Sequence, residues 1–251
     1  MNARLTVLLF IFSHLDELYG IPRWDNVMFK TKVLFYKMRG ELRTPMPPTD
    51  YCQKGLCPPK VTHIACDKPF WGPQCTKPRE GVNMEKFKMK LEDLHNNARG
   101  RLSSTKWKNL PLAKPLPDIH WDDELSILAM RITNFCNDKV ASECVNTPRF
   151  LNVAKSSSTS RRARSYPEGV MVHEFRNNWS YAENKYDESF VTSFPANATQ
   201  KENAFANIVN KRVHRFGCGM LIKQDGNEKI HYFTCLYNEK AKAGQALYDL
   251  Q

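Results

Sequence analysis

Eight cysteines constrain this chain more than any other feature of it. Cys52, Cys57, Cys66 and Cys75 crowd into one short proline-rich stretch, and the others follow as two close pairs, Cys136/Cys144 and Cys218/Cys235. An even count behind an apolar N-terminus reads as a disulfide framework, which persists only in an oxidising compartment. Cross-links restrict the unfolded chain and so stabilise segments too poor in apolar residues to hold themselves. The expectation is a secreted, extracellular protein whose thiols are all committed to bridges.

Arg4 precedes an apolar run over residues 5–12 that is too short to span a bilayer, and a cut near Gly20 would make residues 1–20 a signal peptide. Leu18 fits the cleavage pattern poorly, so a retained apolar helix stays open as the alternative. Residues 21–50 carry Lys30, Lys32, Lys37 and Arg39 among apolar residues and end in Pro45, Pro47 and Pro48, which reads as a poorly ordered basic extension. No later stretch is long and uncharged enough to be a transmembrane segment. The formal net charge of +11 favours anionic partners such as sulfated glycans, acidic membranes or acidic proteins, while a secreted setting makes nucleic acid an improbable one.

Residues 51–80, with Pro58, Pro59, Pro69, Pro73 and Pro78, form a cysteine-rich leader with little regular structure of its own. From Met84, apolar residues recur at helical spacing through Phe87, Leu91, Leu94 and Ala98, and Gly100 suits the C-terminal end. A second helix follows a Pro-rich connection: Leu125, Leu128, Ala129, Ile132 and Phe135 share a face, with Asp122, Asp123 and Glu124 at the positive end. The Ser/Arg-rich residues 155–165 read as a loop. Met171, Val172, Phe175 and Trp179 mark a third helix begun by Pro167, and Ala204, Phe205, Ile208 and Val209 a short fourth. Two β-branched and aromatic runs, residues 216–222 and 230–237, flank Gln224-Asp225-Gly226-Asn227 as a hairpin that would carry Cys218 and Cys235 on its arms. Helices followed by strands imply an α+β domain over residues 81–251.

The order of these pieces resembles the CAP superfamily (cysteine-rich secretory, antigen-five and pathogenesis-related proteins), most closely its insect venom-allergen, antigen-five-like branch. The resemblance is carried by Tyr51-Cys52 with the leader, His95-Asn96-x-x-Arg99, residues 116–125, Asn152-Val153-Ala154, Gly217-Cys218-Gly219 and residues 231–238. It implies a three-layer α-β-α sandwich with a disulfide-stapled, loop-rich N-terminal extension. It also implies the pairings Cys52–Cys66, Cys57–Cys144, Cys75–Cys136 and Cys218–Cys235, which the sequence by itself leaves open.

Many members of that family carry two histidines and two acidic residues around a central cleft, a donor set suited to a divalent metal. Here the resemblance matches only His95, and puts Leu151, Ala182 and Ala204 at the other three positions, with Glu183 one helical step from Ala182. A degenerate cleft without metal, cofactor or catalytic set is therefore expected. No Gly-x-Ser-x-Gly elbow and no free thiol offers another route to catalysis. Asn178-Trp179-Ser180 and Asn197-Ala198-Thr199 are glycan acceptor sequons, Asn197 in the more polar setting. Arg161-Arg162-Ala163-Arg164 matches a convertase pattern, Arg161 and Arg164 being its key residues, within the expected loop; a plain solvated basic loop is the alternative.

The function expected is an extracellular binding or effector protein that acts on a protein or lipid partner, in a reproductive, seminal-fluid setting by analogy with insect relatives. A sterol or fatty-acid carrier is a second reading, in which Leu151, Ala182 and Ala204 enlarge an apolar cavity. A metal-dependent hydrolase and a venom- or salivary-type effector are the others.

Overall fold

A computed structural model describes residues 49–137 and 144–251. The signal and extension expected over residues 1–48 lie outside the described residues. Asp50–Gln251 forms one compact unit, so the leader is part of the domain.

Asn83 caps a short 3-10 turn at Met84–Lys86, and α1 (Lys88–Ser104) follows. This helix runs one turn past Gly100, because Leu102 is buried in the core and its carbonyl accepts from Ala113 N. The motif His95-Asn96-x-x-Arg99 is structural. Asn96 holds Ile119 through both amide atoms, and Arg99 donates to the carbonyls of Pro117, Ile208, Asn210 and Val213. Arg99 is 1% exposed, and burial lowers its guanidinium to about 10, still charged at neutral pH. One buried cation thus satisfies the carbonyls that end two connections.

The sheet has five strands: β1 (Arg79–Gly81), β2 (His120–Trp121), β3 (Ala154–Arg162), β4 (Arg215–Asp225) and β5 (Glu228–Tyr237). The order is β1-β4-β5-β3, with β2 parallel against the start of β4 and the other pairs antiparallel. The β4–β5 hairpin turns at Gly226-Asn227, Gly226 taking the left-handed φ of 58° such a turn requires. Cys218 pairs with Cys235 across it, Cα atoms 4.0 Å apart, and the two sulfurs are joined.

The expected loop at residues 155–165 is overturned for residues 155–162 and holds only for 163–165. Residues Ala154–Arg162 form β3, paired residue for residue with β5. Serine suits this edge position, because Ser157 bonds Thr234 across the pair (2.8 Å) and Ser156 accepts from Asn207 (3.1 Å). Arg161, far from hanging in a mobile loop, pairs with Asp225 at 2.6 Å and with Glu228. Charged side chains on an edge strand also discourage pairing with another chain. A convertase cutting after Arg164 would have to peel Arg161 and Arg162 from the sheet, so cleavage is not sterically easy.

Two layers cover this sheet. On one face α2 (Asp123–Thr133) packs through Leu125, Leu128, Ala129 and Ile132, its first turn capped by the Asp122 carboxylate. On the other lie α1, α3 (Pro167–His173), a π-helical turn at Glu174–Trp179, the short α4 (Glu188–Thr192) and α5 (Gln200–Val209), over Met220, Phe233, Cys235 and Tyr237. Thr199 and Glu202 form a capping box at the start of α5. The α-β-α sandwich is therefore present.

Three further bridges, Cys52–Cys66, Cys57–Cys144 and Cys75–Cys136, tie the leader to itself and to the end of α2 and the segment after it; all four pairings are those the resemblance implies. The Arg149 guanidinium spans Asp122 and Glu124 at 2.8–3.0 Å, and Tyr51 OH donates to the same Glu124. Leader, helix start and following segment thus share one charge network.

Gly217 and Gly219 face α2 so closely that a Cβ would lie 2.3 Å from Ser126 N and 2.4 Å from Met130 N respectively. Gly219→Ala is expected to force helix and sheet apart and to cost about 2–3 kcal/mol or more. Urea unfolding of variant and parent measures this; a loss within about 0.5 kcal/mol, the range of an uninvolved surface change, contradicts the contact.

Candidate functional site

Between β3, the start of α5 and the π-helical turn lies a cleft of about 300 Å³, bounded by Ser158, Glu174, Asn178, Trp179, Gln200 and Ala204 among others. Trp179 closes its floor, stacked on Phe233 at 4.9 Å between ring centres. Glu174 supplies the one carboxylate among the described residues that line it, and is itself only 4% exposed. Its Oε2 accepts from Asn178 Nδ2 at 2.6 Å, and Oε1 lies 3.5 Å from His173 Nδ1, on a half-exposed ring. Opposite, Lys201 is neutralised by Glu183 at 3.0 Å.

The four residues expected to face one cleft are not brought together. Ala204 does line it. His95 is fully buried in the core: Nδ1 donates to the Leu91 carbonyl (2.7 Å), Nε2 accepts from Tyr237 OH (3.0 Å), and Phe216 and Phe175 wall the ring at 4.2 and 4.6 Å. With both nitrogens used it has neither lone pair nor proton for a ligand. Desolvation drives its pKa down to about 3, with the Arg99 charge adding to the effect and the Leu91 hydrogen bond opposing it. Leu151 is 64% exposed and borders a different groove, beside Val153 and Asn203. Ala182 is fully buried but stands beyond the helix, which ends at Trp179. The helical phase carried from Trp179 to Ala182 and Glu183 therefore does not apply.

Glu174 was missed by the sequence reading. Its signal was local: an acid one residue before Phe175 and three after Met171 sits in the middle of an apolar stripe. The π turn widens the backbone there, and π turns are frequent at functional sites.

The donor set does not fit a resident divalent metal. A tetrahedral zinc site needs three or four ligands, whereas the described cleft offers Glu174 with the adjacent His173 at its edge and Ala204 across from it. Cys52, Cys66 and Asp67 also lie close together, but the two sulfurs share a disulfide and are not thiolates.

The model of the cysteine-rich secretory protein family, CAP, matches residues 92–237, more than half of the chain, and the chain belongs to that family. It falls with the antigen-five-like venom allergens. Venom allergen-1 of Aedes albopictus is 28% identical over 207 residues, covering 79% of this chain and 78% of that one. Venom allergen 3 of Solenopsis invicta is 26% identical over 218 residues, covering 81% and 90%. Among solved structures, the fold matches NaASP2 with Zn2+ at a TM-score of 0.57 and 14% identity, over 70% of this chain and 90% of that one.

Because folded His95 resists protonation until about pH 3 while the unfolded chain takes a proton near 6.5, the unfolded state binds more protons in that window. Stability must therefore fall as pH drops below 6.5, by about 1.4 kcal/mol per pH unit from this residue. Urea unfolding at about pH 7 and about pH 5 should show the parent losing roughly 2 kcal/mol more than His95→Gln. Equal losses in the two proteins would mean that His95 is protonated in the native state.

Proposed function

We propose that the protein acts outside the cell as a non-enzymatic CAP-family binding protein, whose stapled surface engages an extracellular partner. The observation that carries this reading is the cleft itself, where Ala204 and one hydrogen-bonded carboxylate, Glu174, stand in a space that a metal-dependent reaction would fill with donors. Glu174 is the single carboxylate of that lining and has no second acid there to pair with. The disulfides and the two sequons support secretion. Among the described residues no helix is long and apolar enough to cross a membrane. A seminal-fluid setting rests on analogy with insect relatives. The carrier reading loses its original support, since Ala204 and Leu151 border different depressions and Ala182 is fully buried.

Calorimetric titration with zinc at neutral pH is expected to give no stoichiometric site tighter than about 1 μM, in the affinity range where a built site would show. A sub-micromolar one-to-one isotherm overturns the reading. Of the two sequons, Asn197 projects from an exposed turn, while the Asn178 amide donates to Glu174 at the cleft wall. Glycopeptide mass spectrometry of protein secreted from insect cells should find the glycan at Asn197; occupancy confined to Asn178 contradicts this ranking.

A further inference from the structure

A second depression, about 550 Å³ in volume, opens between α1 and the π-helical turn and shares no lining residue with the Glu174 cleft. Its floor is apolar, built by Leu94, Trp107 and Phe175, with Asn97 and Ser180 set into it. Two guanidiniums stand at its border, Arg101 from α1 and Arg176 from the π turn, both exposed. Arg101 Cζ lies 5.2 Å from the centre of the Trp107 ring. Neither arginine has an acidic partner among the described residues. That distinguishes them from Arg149, Arg161 and Lys211, each matched to a carboxylate.

The rim continues in the same sign. Tyr181, 45% exposed, borders the groove with the Lys108 ammonium 3.8 Å from its ring centre and the Lys201 ammonium at 5.1 Å. The hydrogen bond from Lys108, then its charge, lowers the phenol below its ordinary range. Lys108 holds this place from a left-handed backbone, φ 55°, which costs a non-glycine residue energy that its surroundings must offset. Glu183, the neighbouring acid, is taken up by Lys185 and Lys201.

Unopposed cations around aromatic rings and a few amide and hydroxyl groups call for a ligand with several negative charges and flat, weakly polar faces between them. We infer that this groove binds a sulfated oligosaccharide. Sulfates pair with Arg101, Arg176 and Lys108, whose planar forks and ammonium suit tetrahedral oxyanions. The C–H faces of the sugar rings lie on Trp107 and Tyr181, and Asn97 takes a hydroxyl. Charge complementarity selects this occupant: the molecule carries a formal net charge of +11, and here two of its guanidiniums line one concave surface with no carboxylate partner among the described residues. The inference names a partner class for the binding-protein reading and rests on it. It uses neither Glu174 nor His173.

The test is calorimetric titration of the secreted, disulfide-intact protein with a size-defined heparin tetrasaccharide and with its desulfated counterpart, at physiological salt. The sulfated form is expected to bind and the desulfated form not to. The double variant Arg101→Ser/Arg176→Ser should weaken binding at least tenfold, with unchanged circular dichroism and melting. Lys86→Ser/Lys90→Ser removes the same charge from exposed sites outside the groove and should change affinity less than threefold. Equal losses in the two double variants would show a diffuse basic surface and overturn the inference. So would equal binding of the desulfated sugar, or a groove that takes palmitate while the tetrasaccharide fails to bind. Because zinc titration does not report on sugar binding in this groove, failure here and failure of the non-enzymatic reading are told apart.

Discussion

The direct contact of the α2 backbone with Gly217 and Gly219 of β4 is the constraint on which the rest of the molecule depends. With no side chain between them, helix and strand approach more closely than packed side chains allow, and the register of one against the other is fixed. That register sets Asp122 and Glu124 beneath Arg149 and Tyr51, and directs the end of α2 toward Cys75. The leader has almost no regular structure and is held where that placement lets its bridges and hydrogen bonds close. The disulfide Cys218–Cys235 lies on the opposite face of the same strand, inside the larger core. One glycine–cysteine–glycine run therefore serves both layers at once.

On that larger core the chemistry has been drawn inward or removed. His95 and Tyr237 satisfy each other among aromatic rings, which stabilises the core and takes the imidazole out of any reaction at neutral pH. Arg99, the charged residue one turn further along the helix, is spent on backbone carbonyls. Nearer the surface of the described residues lie the Glu174 cleft and a cationic, aromatic groove beside α1.

Much of the fold was legible because its signals are local. The amphipathic stripes of α1 and α2, the acidic start of α2, and the two β-rich arms around Gly226-Asn227 all correspond to observed elements. The misreadings share a cause. Residues 155–165 carry almost no apolar residues, so their composition reads as loop, yet β5 supplies a full hydrogen-bonding edge, and Asn207 and Thr234 satisfy the buried serine hydroxyls. Gly100 looked like a helix end because glycine favours one, but burial of Leu102 carries α1 a turn further. Regular helical phase failed at the π turn, and with it the placement of Ala182 and the recognition of Glu174.

Sequence alone thus determined the cross-linked, mixed helix-and-sheet architecture and the family, because cysteine count, hydrophobic period and turn residues act between near neighbours along the chain. Only tertiary structure decided which polar residues are buried partners and which are exposed surface. Whether His95 is a ligand or a core hydrogen-bonding group, whether serines make a strand or a loop, and whether Arg101 and Arg176 share a groove all depend on groups far away in sequence. Their desolvation and charge neighbours exist only once the layers have packed.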